Sequence, residues 1–232
     1  MVTAQTTQRY QGPPLALLAI LYTVLFNAGL YPVMAMAGKQ YWPGPWEPPS
    51  VIVPYFQTHH AQVLACLFLQ FGAIICLGLF SAVATGQLRF LGVRSAGPWI
   101  ALFGGFMVAF DGVVAGFSMW ALIHPAVLQA PSIVTALYYL AYAFGGPGFS
   151  IPMGLLIAGI SIPALLYKLL PRWICILGIA LAVVGELSWF YLISPAMLFL
   201  TPLIRFPGFI WIIAAAFALP RTVPLRSPTE AM

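Results

Sequence analysis

Charge is what this sequence has least of: Asp, Glu, Lys and Arg make up 6% of its 232 residues, against 62% hydrophobic side chains. A soluble globular domain carries about a quarter charged residues, so the composition excludes one. Cysteine is scarce as well. Cys66, Cys76 and Cys175 are scattered, which leaves neither a disulfide framework nor a CxxC metal or redox motif. No P-loop, GxSxG, HExxH or dinucleotide-binding fingerprint occurs, so nucleotide-driven transport and ordinary serine hydrolysis have no support. There is also no basic stripe interleaved with aromatics, so nucleic acid is not an expected partner.

What the chain does have is apolar runs of roughly 20 residues, each long enough to cross a hydrocarbon core of about 30 Å as a helix. Alternating segments of about ten residues, the mark of spanning strands, are missing. The expected fold class is therefore all-α: one transmembrane domain over 1–232, a six-helix bundle embedded in a lipid bilayer. Its spans fall at about 14–37, 59–85, 97–123, 132–167, 172–194 and 198–219. Short cytoplasmic loops are enriched in Lys and Arg. With both termini inside, the inner segments hold Arg9, Arg89, Arg94, Lys168, Arg172, Arg221 and Arg226, and the outer side holds only Lys39. The net charge of +5 reads as topology, N-in and C-in. The stretch "AMAG" at 35–38 looks like a signal-peptidase site, but the apolar run before it, Leu15 to Met34, is longer than a signal core. A retained first helix is expected.

One long connection, 38–58, faces outward and contains "YWPGPWEPPSVIVPYF". Five prolines fix φ and remove donors, so the segment is expected not to be helical. Its rings suit an interfacial belt capping the bundle, or a lid over an outward-facing cavity. The fourth span is too long for one crossing and carries "FGGPGF", where Pro147 should kink or break it. Broken helices build binding sites in many transporters. The third and fifth spans share a Trp-Ile start and an acid twelve or thirteen residues later, which puts Asp111 and Glu186 at nearly equal depth.

Ionisable groups inside a span are costly and usually face the bundle interior or a cavity. Three occur here: Asp111, Glu186 and Arg205. Counting from the outer helix ends puts Glu186 about 13 Å and Arg205 about 10 Å deep, close enough for an ion pair between the last two spans. Asp111 has no obvious basic partner and is a candidate proton donor or carrier. Arg205 is alternatively a binder of an anionic group. Polar residues also line up at helical spacing: His59, Gln62, Cys66 and Gln70 in the second span, and Thr135, Tyr138, Tyr142 and Gly146 in the fourth. Helix-to-helix hydrogen bonds could account for these stripes. Their convergence on the outer half points to a polar pocket. The expected binding set is Arg205, Glu186, Asp111, Tyr138, Tyr142, Gln70, Trp189 and His59, and the candidate catalytic acids are Asp111 and Glu186.

His59, His60 and His124 lie at the outer helix ends, an arrangement that invites a haem or metal reading. Adjacent residues on a helix point about 100° apart, so His59 and His60 cannot both turn to His124. No cofactor is expected. "GVVAG" at 112–116 is a GxxxG, which permits close helix contact.

The stretch "YKLLPRWICILGIALAVVGELSW", with "FGGPG" before it and "PLIRFPGFIWIIAAAFALP" after it, resembles a family of small bacterial multi-pass membrane proteins of unknown function. The resemblance covers roughly 58–220 and implies a six-helix bundle in a bacterial plasma membrane, with no activity attached. Three functional readings follow: a protein that binds or transports a small hydrophobic or amphipathic molecule; a membrane-embedded enzyme on a lipid or isoprenoid-like substrate, with Asp111 or Glu186 as general acid; or a structural or accessory subunit.

Overall fold

The computed structural model describes residues 7–34 and 41–224. The segment "AMAG", Lys39 and Arg226 lie outside the described residues. Eight α-helices make up nearly all of the structure: α1 (Leu15–Met34), α2 (Pro49–Thr58), α3 (His60–Phe90), α4 (Gly97–Leu122), α5 (Pro131–Gly145), α6 (Pro147–Leu166), α7 (Arg172–Leu187) and α8 (Leu200–Ala218). Short 3₁₀ turns at Ser188–Leu192 and Pro195–Phe199 join α7 to α8. Six spans are long and apolar enough to cross a membrane, with α5 and α6 forming one of them. The chain is a six-span, all-α membrane protein with a broken fourth span.

Both ends of the described chain meet at one end of the bundle. Strand β1 (Thr7–Arg9) pairs antiparallel with β2 (Thr222–Pro224). Gln87 of α3 donates its side-chain amide to the carbonyls of Leu219 (3.2 Å) and Pro220 (2.7 Å). Arg221 donates to the Gly12 carbonyl at 2.8 Å. Termini on one side require an even number of crossings, in agreement with the six counted.

α6 is the axis of the bundle. Most of its residues are buried, with α4 against one flank and α7 and α8 against the other. Between apolar helices in lipid, van der Waals contact is the main attraction, so small residues let the backbones close in. A Cβ on Gly159 would meet the Ala101 amide nitrogen and stand 2.6 Å from the Gly97 carbonyl oxygen. One on Gly104 would stand 2.5 Å from the Leu156 nitrogen and 2.6 Å from the Pro152 oxygen. On the other flank, a Cβ on Gly185 would lie 2.7 Å from the Ser150 oxygen and 3.0 Å from Gly154 Cα. The close backbone contacts therefore use Gly97, Gly104, Gly159 and Gly185; of the GxxxG pair, Gly112 packs on the Ile74 side chain of α3, where a Cβ would lie 2.7 Å from it, and Gly116 has room. Trp211 of α8, fully buried, closes that side by donating Nε1–H to the Ile174 carbonyl at 2.9 Å.

The outer connection departs from expectation. Residues 49–58 form α2, although Pro49 and Pro54 lie within it. Pro43, Pro45 and Pro48 precede the helix, and Pro49 occupies its first turn, where no backbone donor is needed. Only Pro54 removes an intrahelical bond, and the helix is short. Its buried Ile52, Val53, Tyr55 and Phe56 pack against the outer ends of α3 and α5.

Candidate functional site

The break between α5 and α6 is a single residue, Gly146, with φ −99° and ψ −100°. Pro147 at the start of α6 has no N–H to leave unpaired. The Gly146 N–H donates to the Tyr142 carbonyl at 2.8 Å, and the Gly146 carbonyl accepts from the Ser150 backbone N–H at 3.0 Å and from Ser150 Oγ at 2.9 Å. Ser150 Oγ also lies 3.3 Å from Thr201 Oγ1. The freed Gly145 carbonyl accepts from the Arg205 guanidinium.

Two charged residue types thus sit at the two ends made by the break. Arg205 lies at the C-terminal end of α5, where the helix dipole favours a cation. Asp111, 6% exposed, lies beside the first turn of α6, with Oδ2 3.6 Å from the position of a Cβ on Gly148. There the dipole favours an acid. Arg205 also stacks on rings, with Cζ 4.5 Å from the Phe149 centroid and 5.3 Å from that of Phe26.

The expected ion pair between Glu186 and Arg205 is not formed. Glu186 is exposed, in a depression with Ile151, Leu187, Trp189 and Phe190, and its Oε1 stands 3.1 Å from the position of a Cβ on Gly154. Its neighbour Gly185 is the residue that packs inward, on Gly154 and Ser150. A depth count along two helices gives height but not direction, and adjacent residues point about 100° apart. Nor are the two acids level. Asp111 faces Gly148 of α6 and Glu186 faces Gly154, about 9 Å apart along that helix. Replacing Glu186 with glutamine is expected to leave the melting temperature unchanged or slightly raised, within about 0.5 kcal/mol. A loss above about 2 kcal/mol in a detergent melt would reveal a counter-charge and contradict this placement.

Between α1, α3, α4, α5 and α8, at the end away from the termini, lies a cavity of about 410 Å³. That is the size of a small-molecule site. Arg205, Tyr138, Tyr142 and Gln70 of the expected binding set line it, as do Cys66, Gly145, Gly146 and Thr201. The rest of the wall is apolar, with Phe26, Leu30, Phe71, Met119, Phe149 and Phe206 prominent. Asp111, Glu186, Trp189 and His59 do not line it. Cys66 and Gln70 of one polar stripe meet Tyr138, Tyr142 and Gly146 of the other here because residues three and four apart share a helix face, whereas His59, Gln62 and Thr135 do not line the cavity. Thr201, one turn before Arg205 on α8, could have been found by the same rule. Phe26 carried no sequence signal.

Trp42 closes the cavity wall at the end of the bundle away from the termini. Its ring is edge-on to Tyr55 at 5.8 Å and Phe56 at 5.7 Å, and it lines the cavity. The next residue, Pro43, accepts the Tyr138 hydroxyl. Tyr41 donates to the Glu47 carboxylate at 2.9 Å, and this bond holds the phenol proton on above its ordinary range. Tyr138→Phe is expected to cost about 1 kcal/mol and to speed proteolytic cleavage within 41–48. An unchanged cleavage rate would mean that Tyr138 does not hold this strap down.

His59 and His124 are engaged locally. His59 stacks on Tyr55 at 4.6 Å with Nδ1 3.1 Å from the Tyr55 carbonyl oxygen, and His124 Nδ1 accepts the Ala126 N–H at 3.3 Å. Among the described residues, no group of three His, Cys, Asp or Glu side chains is placed to hold a metal ion. Compared with family models, curated proteins and solved structures, the chain matches none.

Proposed function

We propose that the protein binds a small hydrophobic or amphipathic molecule in this cavity, as a carrier or transporter of it. The observation that carries the reading is the cavity itself: an apolar chamber of about 410 Å³ with a few polar groups gathered at a helix break and an aromatic strap over its mouth. Ligand sites have this composition, and broken helices supply such polar groups inside membranes. By the distribution of loop charges the mouth opens outward. The resemblance of 58–220 to small bacterial multi-pass proteins supports a bacterial plasma membrane as its location and membership of that family.

A lipid or isoprenoid enzyme has less support, because neither Asp111 nor Glu186 lines the cavity. An accessory-subunit reading draws on one observation, the exposed Glu186 carboxylate beside Trp189. Binding is tested by titrating a bromine-labelled ten-carbon alcohol into the protein in lipid nanodiscs and following tryptophan fluorescence. The expected result is saturable quenching that shrinks in Trp42→Phe. Quenching that is linear in the probe, or indifferent to Trp42, would overturn the reading.

A further inference from the structure

Arg205 is the one charged residue among the described residues that line the cavity. Its guanidinium carries five N–H donors in a fixed fork and stays protonated in proteins. Among the described residues it makes one hydrogen bond to protein, to the Gly145 carbonyl, and its buried Nε has no partner there. The rings of Phe149 and Phe26 offer their faces, and the end of α5 offers a partial negative charge. None of these is an anion.

A full positive charge taken out of water needs a partner of full opposite charge with good hydrogen-bond geometry. The two acids at membrane level lie elsewhere along α6: Asp111 beside Gly148 in its first turn and Glu186 beside Gly154, and neither lines the cavity. The open side of the guanidinium faces a chamber that is otherwise apolar, with Gln70, Tyr142 and Thr201 as the neighbouring hydrogen-bonding groups. A carboxylate or phosphate oxygen pair matches the fork of an arginine, and an aliphatic chain matches the walls.

Resting on the carrier reading above, we propose that the occupant is an amphipathic oxyanion. Its carboxylate or phosphate head meets Arg205 at the α5–α6 break, and its single apolar chain lies between α1, α3 and α4. The cation that the helix break leaves uncompensated then acquires its counter-charge from the ligand.

The test is calorimetric titration of wild-type protein in neutral-lipid nanodiscs with four probes of equal chain length: dodecanoate, dodecyl phosphate, dodecanol and dodecyltrimethylammonium. Empty discs supply the blank. At least one oxyanion is expected to bind about tenfold or more tightly than dodecanol, and the cation more weakly. Which oxyanion binds more tightly separates a fatty-acid-type source from a phospholipid-type one, and either supports the proposal. In Arg205→Met the preference is expected to collapse, with dodecanol affinity kept. Should that variant not fold, the wild-type selectivity still decides the matter. Dodecanol binding as tightly as both oxyanions, or a preference that survives in Arg205→Met, overturns the anion assignment and leaves the carrier reading standing. Failure of all four probes to bind overturns both.

Discussion

Gly159→Ala is expected to destabilise the bundle by about 3 kcal/mol, the upper end of what overpacking usually costs, because the added methyl would press on backbone that cannot turn aside. Its Cβ would meet the Ala101 amide nitrogen and the Gly97 carbonyl oxygen of α4. A flexible side chain could rotate away from such a contact. Two helix backbones can only move apart, and α4 and α6 would then lose contact along their whole seam. Gly104→Ala meets Leu156 and Pro152 backbone from the other side of the same seam and should cost a similar amount. Gly116→Ala is the control, since a Cβ there lies 3.9 Å from the nearest atom, in Phe71. Thermal melts in one detergent compare the three. If Gly159→Ala melts like Gly116→Ala, the close approach of α4 to α6 is wrong.

The second large effect concerns binding. Gly116 lines the cavity and has room around it. A leucine at this position adds four carbons to the wall of a chamber of about 410 Å³. Gly116→Leu is expected to weaken binding of an apolar-chain probe by about tenfold or more, which corresponds to about 1.4 kcal/mol, while melting within about 1 kcal/mol of wild type. Equilibrium titration in nanodiscs measures the first quantity and a thermal melt the second. Unchanged affinity would place the probe elsewhere on the protein.

How much of this could be read from the sequence depended on which kind of distance was needed. The spans were legible because apolar length alone decides them, and "FGGPG" marked the break because proline and glycine act locally. The stripes through Cys66 and Gln70, and through Tyr138 and Tyr142, were legible because a helix repeats every three to four residues. Arg205 was singled out as an ionisable residue facing the bundle interior or a cavity, and it lines the cavity, yet its partner was misjudged. Height can be counted along a chain, whereas the rotation of α7 about its axis is set by Gly185 fitting against Gly154. That fit leaves the Glu186 carboxylate at the edge of the α6–α7 contact, beside Gly154. The glycine seam escaped notice for a related reason. Gly97 and Gly104 of α4 are seven residues apart, two turns, and meet glycine and backbone on α6; the motif on this seam is Gly97-xxx-Ala101, which paired glycines alone do not reveal. In α2 the error was to count prolines without regard to position. Proline opposes the interior of a helix and suits its first turn.

The break in the fourth span ties the fold to the proposed site. Opening the helix at Gly146 frees the Gly145 carbonyl and exposes the first turn of α6, and the two resulting dipole ends hold Arg205 and Asp111 in place. A continuous helix would offer neither end. Arg205 would then have no reason to lie against the cavity floor.

Native mass spectrometry of wild-type protein and Gly116→Leu, both released from the same mild detergent, tests the carrier reading most directly. The account predicts a bound small molecule at up to one per chain on the wild type, and its loss from Gly116→Leu. A wild-type chain that arrives bare under conditions that preserve lipid adducts, or an adduct retained in full by Gly116→Leu, would contradict it.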